Sequence, residues 1–360
     1  MVFSSTVFLF LFLPVVIAVY YNPFVKKRGF RNIVLLLASL FFYGWGEPVF
    51  VFLMILSIIV NWAFGLMVDG MAKKGNKLGM KLGMILSVVY NLGLMFVFKY
   101  LTFVTKNISY LLHNDSIVVN IALPIGISFF TFQLMSYVFD VYYGTAKVQK
   151  NLLYVGLYVS MFPQLIAGPI VRYETVADEI VNRVENRKDF AEGFGRFVVG
   201  LGKKILMSPN VGKIADIAFA TEGGMSVAMA WLGAIAYTLQ IYFDFSGYSD
   251  MAIGLGRMFG FHFLENFNFP YVSRSITEFW RRWHITLSTW FRDYVYIPLG
   301  GNRVSKGRHI WNIFVVWFLT GVWHGANWTF ICWGLLYFVL LMFEKLTGFH
   351  KKNGWYMHIY

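Results

Sequence analysis

Charge is what this sequence has least of: 14% of its 360 residues are Asp, Glu, Lys or Arg, against 58% hydrophobic residues. Soluble domains carry about a quarter charged residues, so a water-exposed globule is excluded. A single cysteine, Cys332, excludes an intramolecular disulfide and leaves the redox compartment unreadable; set in an apolar run, it is expected as a small packing residue. Walker A, Gly-x-Ser-x-Gly, His-Glu-x-x-His and Cys-x-x-Cys patterns are all missing, which argues against nucleotide, elbow-serine and metal chemistry. Gly254-Leu-Gly256 is followed by Gly260 rather than a glycine at 259, and no strand-helix unit surrounds it, so it is not a dinucleotide fingerprint. No bound cofactor is expected. Tandem repeats and low-complexity linkers are lacking too.

What is present is apolar sequence from end to end. Stretches such as Val49 to Met67 and Ile310 to Val322 are nearly continuous, which fits membrane helices and not the alternating strands of a barrel. The expected fold is an all-α polytopic membrane protein, one domain over 1–360, with about ten apolar helical segments. Met1 to Tyr20 lacks a basic leader and a cleavage site, so it is expected as a retained first span.

The net charge of +13 sits in short loops between oily segments, a positive-inside pattern rather than a nucleic-acid surface. Lys26, Lys27, Arg28 and Arg31 follow the first span, Lys73, Lys74, Lys77 and Lys81 the third, Lys147 and Lys150 the fifth. Those loops and the terminal Lys345, Lys351 and Lys352 are expected inside, in a multi-pass plasma or inner membrane protein bathed in lipid. Regular spans fill 1–150, with turns at Gly46-Glu-Pro48 and 107–120 outside.

In 151–215 the pattern changes. Leu152 to Ala167 ends in Pro163-Gln164-Leu-Ile-Ala-Gly-Pro169, and two prolines with a glycine predict a re-entrant or broken helix, tolerated only inside protein or beside a water-filled cavity. Arg172 to Lys213 mixes Glu174, Asp178, Glu179, Arg183, Glu185, Arg187, Lys188, Asp189 and Glu192 with spaced apolar residues. It reads as amphipathic helices on the inner surface with a solvated charged face. In 216–360, a long span leads into Asp244-Phe-Ser-Gly-Tyr248-Ser-Asp250, a loop 265–282 holds Asn266, Asn268, Pro270 and Tyr271, and two final spans follow near Ile310 to Gly325 and Trp328 to Phe343.

Polar residues embedded in this setting are the candidates for chemistry. Asp244 and Tyr248 share a helix face; the carboxylate either serves a site or pairs with Arg281, Arg282 or Arg292. Arg281, His284 and Ser288 share one face if the segment is a continuous helix, and Glu278 can pair with Arg282. The arginines, with Asp293 beside Arg292, would meet an anionic donor or anchor the chain among lipid headgroups. His324 lies fifteen residues beyond His309, about 22 Å along a helix. As a neutral imidazole it would be a general base, with Asn327 or a backbone carbonyl orienting its other nitrogen. The competing reading is a packing histidine beside a Gly321/Gly325 helix-packing pair.

The run Trp280-Arg-Arg-Trp-His284 through Phe291-Arg-Asp-Tyr-Val-Tyr-Ile-Pro-Leu-Gly-Gly-Asn-Arg303, then Gly321-Val-Trp-His324-Gly-Ala-Asn-Trp328, resembles the membrane-bound O-acyltransferase family. Ser128-Phe-Phe-Thr-Phe-Gln133, Phe162 to Pro169 and the Asp244 motif extend the resemblance over nearly the whole chain. Within the family it is most similar to the branch that O-acetylates alginate, with the branch moving D-alanine onto teichoic acid as competitor; Leu299-Gly-Gly-Asn-Arg303 favours the former.

The resemblance implies a helical funnel or tunnel in which an acyl group from a cytoplasmic thioester, acetyl-CoA or an acyl carrier, moves towards a hydroxyl of an exported polysaccharide. It matches His324 to the family's essential histidine and His284 to its second, and it implies a periplasmic or cell-surface acetyltransferase partner. Arg281, Arg282, Ser288, Arg292, Asp293, Asn327, Asp244, Tyr248 and Gln164 are the expected donor- or tunnel-lining residues. Family members usually continue past the final hairpin, whereas this sequence stops at Tyr360, so a shortened member or a piece is expected. A non-enzymatic polysaccharide or lipid transporter, or a scaffold recruiting a surface enzyme, would share the buried charges and broken helices.

Overall fold

The computed structural model describes residues 1–24, 27–220 and 224–349; Lys26, Lys351, Lys352 and Tyr360 lie outside the described residues. The helices, in chain order, are α1 (Leu13–Tyr20), α2 (Arg28–Gly46), α3 (Phe50–Lys73), α4 (Lys77–Met95), α5 (Leu101–Leu112), α6 (Ile127–Tyr143), α7 (Leu152–Ser160) and α8 (Tyr173–Asn182). They continue as α9 (Arg187–Gly202), α10 (Ser208–Phe219), α11 (Val227–Met258), α12 (Ile276–Arg282), α13 (Ile285–Phe291), α14 (Lys306–His324) and α15 (Trp328–Thr347), and no strand occurs among the described residues.

Four π-helical turns, Phe8–Phe12, Phe96–Tyr100, Lys203–Met207 and Arg292–Tyr296, interrupt or extend these rods. Among the described residues four helices are long and apolar enough to cross a membrane: α2, α3, the continuous Lys77–Leu112 helix and α15. The expected first span is the shorter apolar helix Phe8–Tyr20, because the Ser5 hydroxyl accepts the Phe8 amide and starts the helix there.

By contacts the chain divides into two compact units, residues 1–55 with 151–264 and residues 56–150 with 265–360. In the first unit α7 stops at Ser160, and the run through Pro163 and Pro169 is mostly buried inside the unit, where part of its polar groups find partners. Phe162 N donates to Ser39 Oγ at 3.1 Å and Tyr158 OH to Val171 O at 3.0 Å, as a broken helix inside protein requires. Helices α9 and α11 meet through small residues: a Cβ on Gly200 would fall 2.6 Å from Gly247 O, and one on Gly193 2.6 Å from Gly254 O.

The charged face expected to be solvated is not solvated throughout. Arg183 is buried and the Glu185 side chain is 6% exposed; Glu185 accepts from Arg28 and from Arg31 at 2.7 Å and from Tyr20, so two arginines read as loop charges are structural partners. These links join residues more than 150 positions apart in the chain, which local charge pattern does not reveal.

In the second unit, a three-residue turn at Lys74 to Asn76 joins α3 to α4. Gly75 takes φ +66, and Asn76 caps α4 by accepting from Gly79 N at 2.9 Å. Buried amides bind the two helices: Asn91 Nδ2 donates to Asn61 Oδ1 at 2.7 Å and Ser87 Oγ to the same oxygen at 2.7 Å. The hairpin α14/α15 closes on Gly321 and Gly334, where a Cβ on Gly321 would fall 2.6 Å from Phe330 O. The packing partner of Gly321 is therefore Gly334 and not Gly325, which lies past the end of α14 in extended conformation. Cys332 is exposed on α15 rather than packed.

Candidate functional site

Residues 265–282 were expected as a loop, yet their second half is α12, started by the Ser275 hydroxyl accepting from Glu278 N at 3.0 Å. The buried Glu344 of α15 accepts from Ile276 N at 2.7 Å and Thr277 N at 3.0 Å, fixing the same helix start from below. Glu278 pairs with Arg282 as the spacing predicts, at 2.9 Å.

The continuous helix expected through Arg281, His284 and Ser288 is broken. Trp283 is extended and His284 takes φ 45, ψ 52, a left-handed conformation that costs a non-glycine residue about 1–2 kcal/mol. Asn266 holds the break in place. Its Oδ1 accepts from the Thr286 amide at 3.3 Å and the Thr286 hydroxyl at 2.8 Å, while its carbonyl accepts from Ile285 N at 3.0 Å. An oxygen that takes a backbone N–H is an acceptor, so His284 Nδ1, 3.1 Å away, is the donor and Nε2 carries the lone pair. Burial, with the His324 charge as a lesser cause, pushes the His284 imidazole down to about 3. It is neutral at physiological pH.

His324 is the last residue of α14, reached by an unbroken helix from the basic turn below. A carbonyl only accepts, so the 2.7 Å contact between His324 Nδ1 and Thr320 O makes Nδ1 the protonated nitrogen. Nε2 has no hydrogen bond among the described residues and keeps its lone pair. Asn327 does not orient it: that side chain caps α15 by accepting from Thr329 N at 3.0 Å. Between the imidazoles stands Trp323, its ring 5.0 Å from His324 and 6.1 Å from His284.

Both halves of the break face one cavity of about 320 Å³, lined by Arg281, His284 and Ser288, by Trp280, Leu287 and Phe291, and by the Thr320 turn that holds His324. Arg292 and Lys345 add cationic groups to an otherwise apolar wall. A neutral imidazole beside guanidinium and ammonium groups suits an anionic ligand with one end in apolar surroundings.

Other expected lining residues are placed elsewhere. Arg282 is tied to Glu278 and donates to Asn268 O at 3.1 Å, and Asp293 pairs with Arg292 at 2.6 Å. Asp244, Tyr248 and Gln164 belong to the first unit. There Asp244 pairs with Lys204 at 2.6 Å rather than with an arginine of the 281–292 segment, Tyr248 stacks on Phe3 at 4.8 Å, and buried Gln164 donates to Tyr158 O. Two residues that matter were not singled out as site residues. Asn266 was visible only as a loop polar residue, and Thr320 acts through its backbone, which no side-chain motif reports.

Residues 145–358 match the family of membrane-bound O-acyltransferases (MBOAT). Among curated relatives, the "Probable alginate O-acetylase AlgI" of Pseudomonas syringae pv. tomato is 45% identical over 356 residues, 98% of this chain and 68% of the relative. The "Peptidoglycan O-acetyltransferase" of Helicobacter pylori is 36% identical over 374 residues, covering 96% and 70%. The "Teichoic acid D-alanyltransferase" of Bacillus subtilis is 31% identical over 249 residues, covering 64% and 61%. The chain thus spans about two thirds of the length of these relatives.

Proposed function

The chain belongs to the membrane-bound O-acyltransferase family, and on that premise we propose that it moves acetyl from a cytoplasmic thioester to hydroxyls of an exported or cell-surface polysaccharide, with His324 as general base. The observation that carries the role is the bond from His324 Nδ1 to Thr320 O, which leaves Nε2 as the proton acceptor. The acceptor hydroxyl attacks the thioester carbonyl; a C–O bond forms, the C–S bond breaks, and the hydroxyl proton passes to Nε2 and on to the departing thiolate.

In this reading the donor, acetyl-CoA or an acyl-carrier thioester, lies in the 320 Å³ cavity, its anionic part against Arg281, Arg292 and Lys345 and its acyl end towards the histidines. That volume is at the lower end of ligand pockets, about 300–1,000 Å³, and suits a slim arm with a short acyl group. His284, held by Asn266, shapes the donor end. Acceptance by a polysaccharide is supported by the relatives named for alginate and peptidoglycan acetylation, and a periplasmic or cell-surface acetyltransferase would complete the transfer. The setting is a multi-pass plasma or inner membrane protein. D-alanyl transfer is the second reading; its relative matches over less of the chain at lower identity.

Transfer of radioactive acetyl from acetyl-CoA in proteoliposomes, with polysaccharide or partner added, tests the proposal against His324→Ala at matched protein level. Label on the acceptor that vanishes in the variant is the expected result. Transfer that persists in the variant overturns the role of His324. Polysaccharide export without acetylation by the wild type favours the transporter.

A further inference from the structure

A lysine inside a membrane-length helix needs partners, because its ammonium is costly to hold away from water. Lys99 lies in the π turn Phe96–Tyr100 of the 36-residue helix Lys77–Leu112. Its partners are Ser128 Oγ at 3.0 Å and the carbonyl of Trp323, and no carboxylate pairs with it among the described residues. The neighbouring Tyr100 donates its hydroxyl to Val322 O. Both contacts land on the last turn of α14, directly before His324.

An α-helix leaves its last four carbonyls without intrahelical partners. At the end of α14 two of these four, Val322 O and Trp323 O, accept from Tyr100 and Lys99, while Thr320 O, just before them, accepts from His324 Nδ1. The chain then leaves in extended conformation at Gly325, φ −176, so no left-handed turn closes this helix through its own backbone. Closure comes instead from two consecutive side chains of a distant helix, in a π turn, a device that recurs at functional sites. The ammonium also stands at the negative end of the α14 dipole, where a cation stabilises the terminal turn, and it lies 5.6 Å from the centre of the Trp323 ring.

We propose that Lys99 and Tyr100 are positioning residues that clamp the last turn of α14 and so set the direction of His324 Nε2. The proposal rests on the acetyl-transfer reading with His324 as base. Misplacing a catalytic group by about 1 Å costs up to about 10²-fold in rate, so loss of the clamp should appear in kcat, while donor binding in the cavity changes little.

The test compares Lys99→Met, Lys99→Arg and Tyr100→Phe in full-length protein in proteoliposomes, measuring kcat and the KM for acetyl-CoA. Hydrogen–deuterium exchange of peptides covering 318–328 is measured alongside, because it reads the helix end without any chemistry. Lys99→Met should lower kcat by about 10²-fold at nearly unchanged KM and speed exchange, Lys99→Arg should restore most of kcat, and Tyr100→Phe should lower it by about tenfold. Wild-type kcat in Lys99→Met overturns the proposal, and so does a loss that arginine fails to rescue with exchange unchanged. If Lys99→Met does not accumulate as folded protein, Tyr100→Phe decides, since unchanged kcat there overturns the clamp. If the wild type transfers no acetyl, the acetyl-transfer reading falls; faster exchange at 318–328 in Lys99→Met still supports the clamp, and unchanged exchange overturns it.

Discussion

In the first unit the half-buried Glu185 carboxylate accepts from Arg28, Arg31 and Tyr20, with Arg183 3.6 Å away, while in the second unit His284 and His324 each donate through Nδ1 to an oxygen. Both regions bury ionisable groups in a chain short of charge. The first surrounds a charge with opposite charges, so its energy is spent on holding α1, α2 and the α8–α9 connection together. In the second, each imidazole is oriented through Nδ1 by a neutral acceptor rather than paired with an opposite charge.

The sharpest break in this contrast is His324→Ala. Removing a general base lowers transfer by about 10²–10⁴-fold, and because His324 is only partly buried the variant should keep a melting temperature close to wild type. Glu185→Ala should do the reverse. It leaves Arg28, Arg31 and Arg183 facing one another, at a cost of about 3–5 kcal/mol, seen as lost folded protein in detergent, with transfer per folded molecule largely kept.

Asn266→Leu falls between the two. It strips the acceptor from His284 Nδ1 and from Thr286, each a buried donor worth about 1–3 kcal/mol when unmade, so both thermal stability and kcat should drop. Equal kcat in this variant would remove His284 from the chemistry.

Acid separates the regions by pH window. Burial by itself raises the Glu185 carboxyl, but hydrogen bonds from Arg28 and Tyr20 and the Arg28 charge outweigh it and hold the group at about 2, below the usual 4.5. Its stabilisation is therefore present above 4.5 and lost as pH falls towards 2. His284 is held at about 3, below the usual 6.5, so the unfolded chain takes up its proton first. That stabilisation is complete above 6.5 and declines from 6.5 downwards. Melting temperature followed against pH should begin to fall near 6.5 and steepen below 4.5. His284→Gln should shrink the first limb, to which the lowered His309 and His324 also contribute, and Glu185→Gln should shrink the second.

Least affected should be Asn327→Ala. Loss of its cap on α15 costs about 1 kcal/mol, and transfer should stay within a few-fold of wild type, because Thr320 O and not Asn327 orients His324. A collapse of kcat here would reopen the role of Asn327.

Class and family were legible in the amino-acid order. Composition alone rules out a soluble globule, hydropathy marks helices by their length, and the motifs around His284 and His324 are long enough to identify a family. The break after Ser160 was legible as well, because two prolines and a glycine act locally on the backbone.

Contacts between distant residues were not. Asp244 was matched to the wrong cation because Lys204 approaches it only through the packing of the α9–α10 segment on α11. The helix through Arg281 and Ser288 looked continuous because Asn266, 18 residues before His284, supplies the bonds that hold the turn open. Lys99 meets the carbonyl of Trp323 across 224 positions, and a backbone acceptor has no signature in side-chain sequence. Hydrophobic pattern and local turn chemistry are properties of a few neighbouring residues; the direction of a lone pair is set by whichever donors and acceptors the tertiary fold brings within 3 Å.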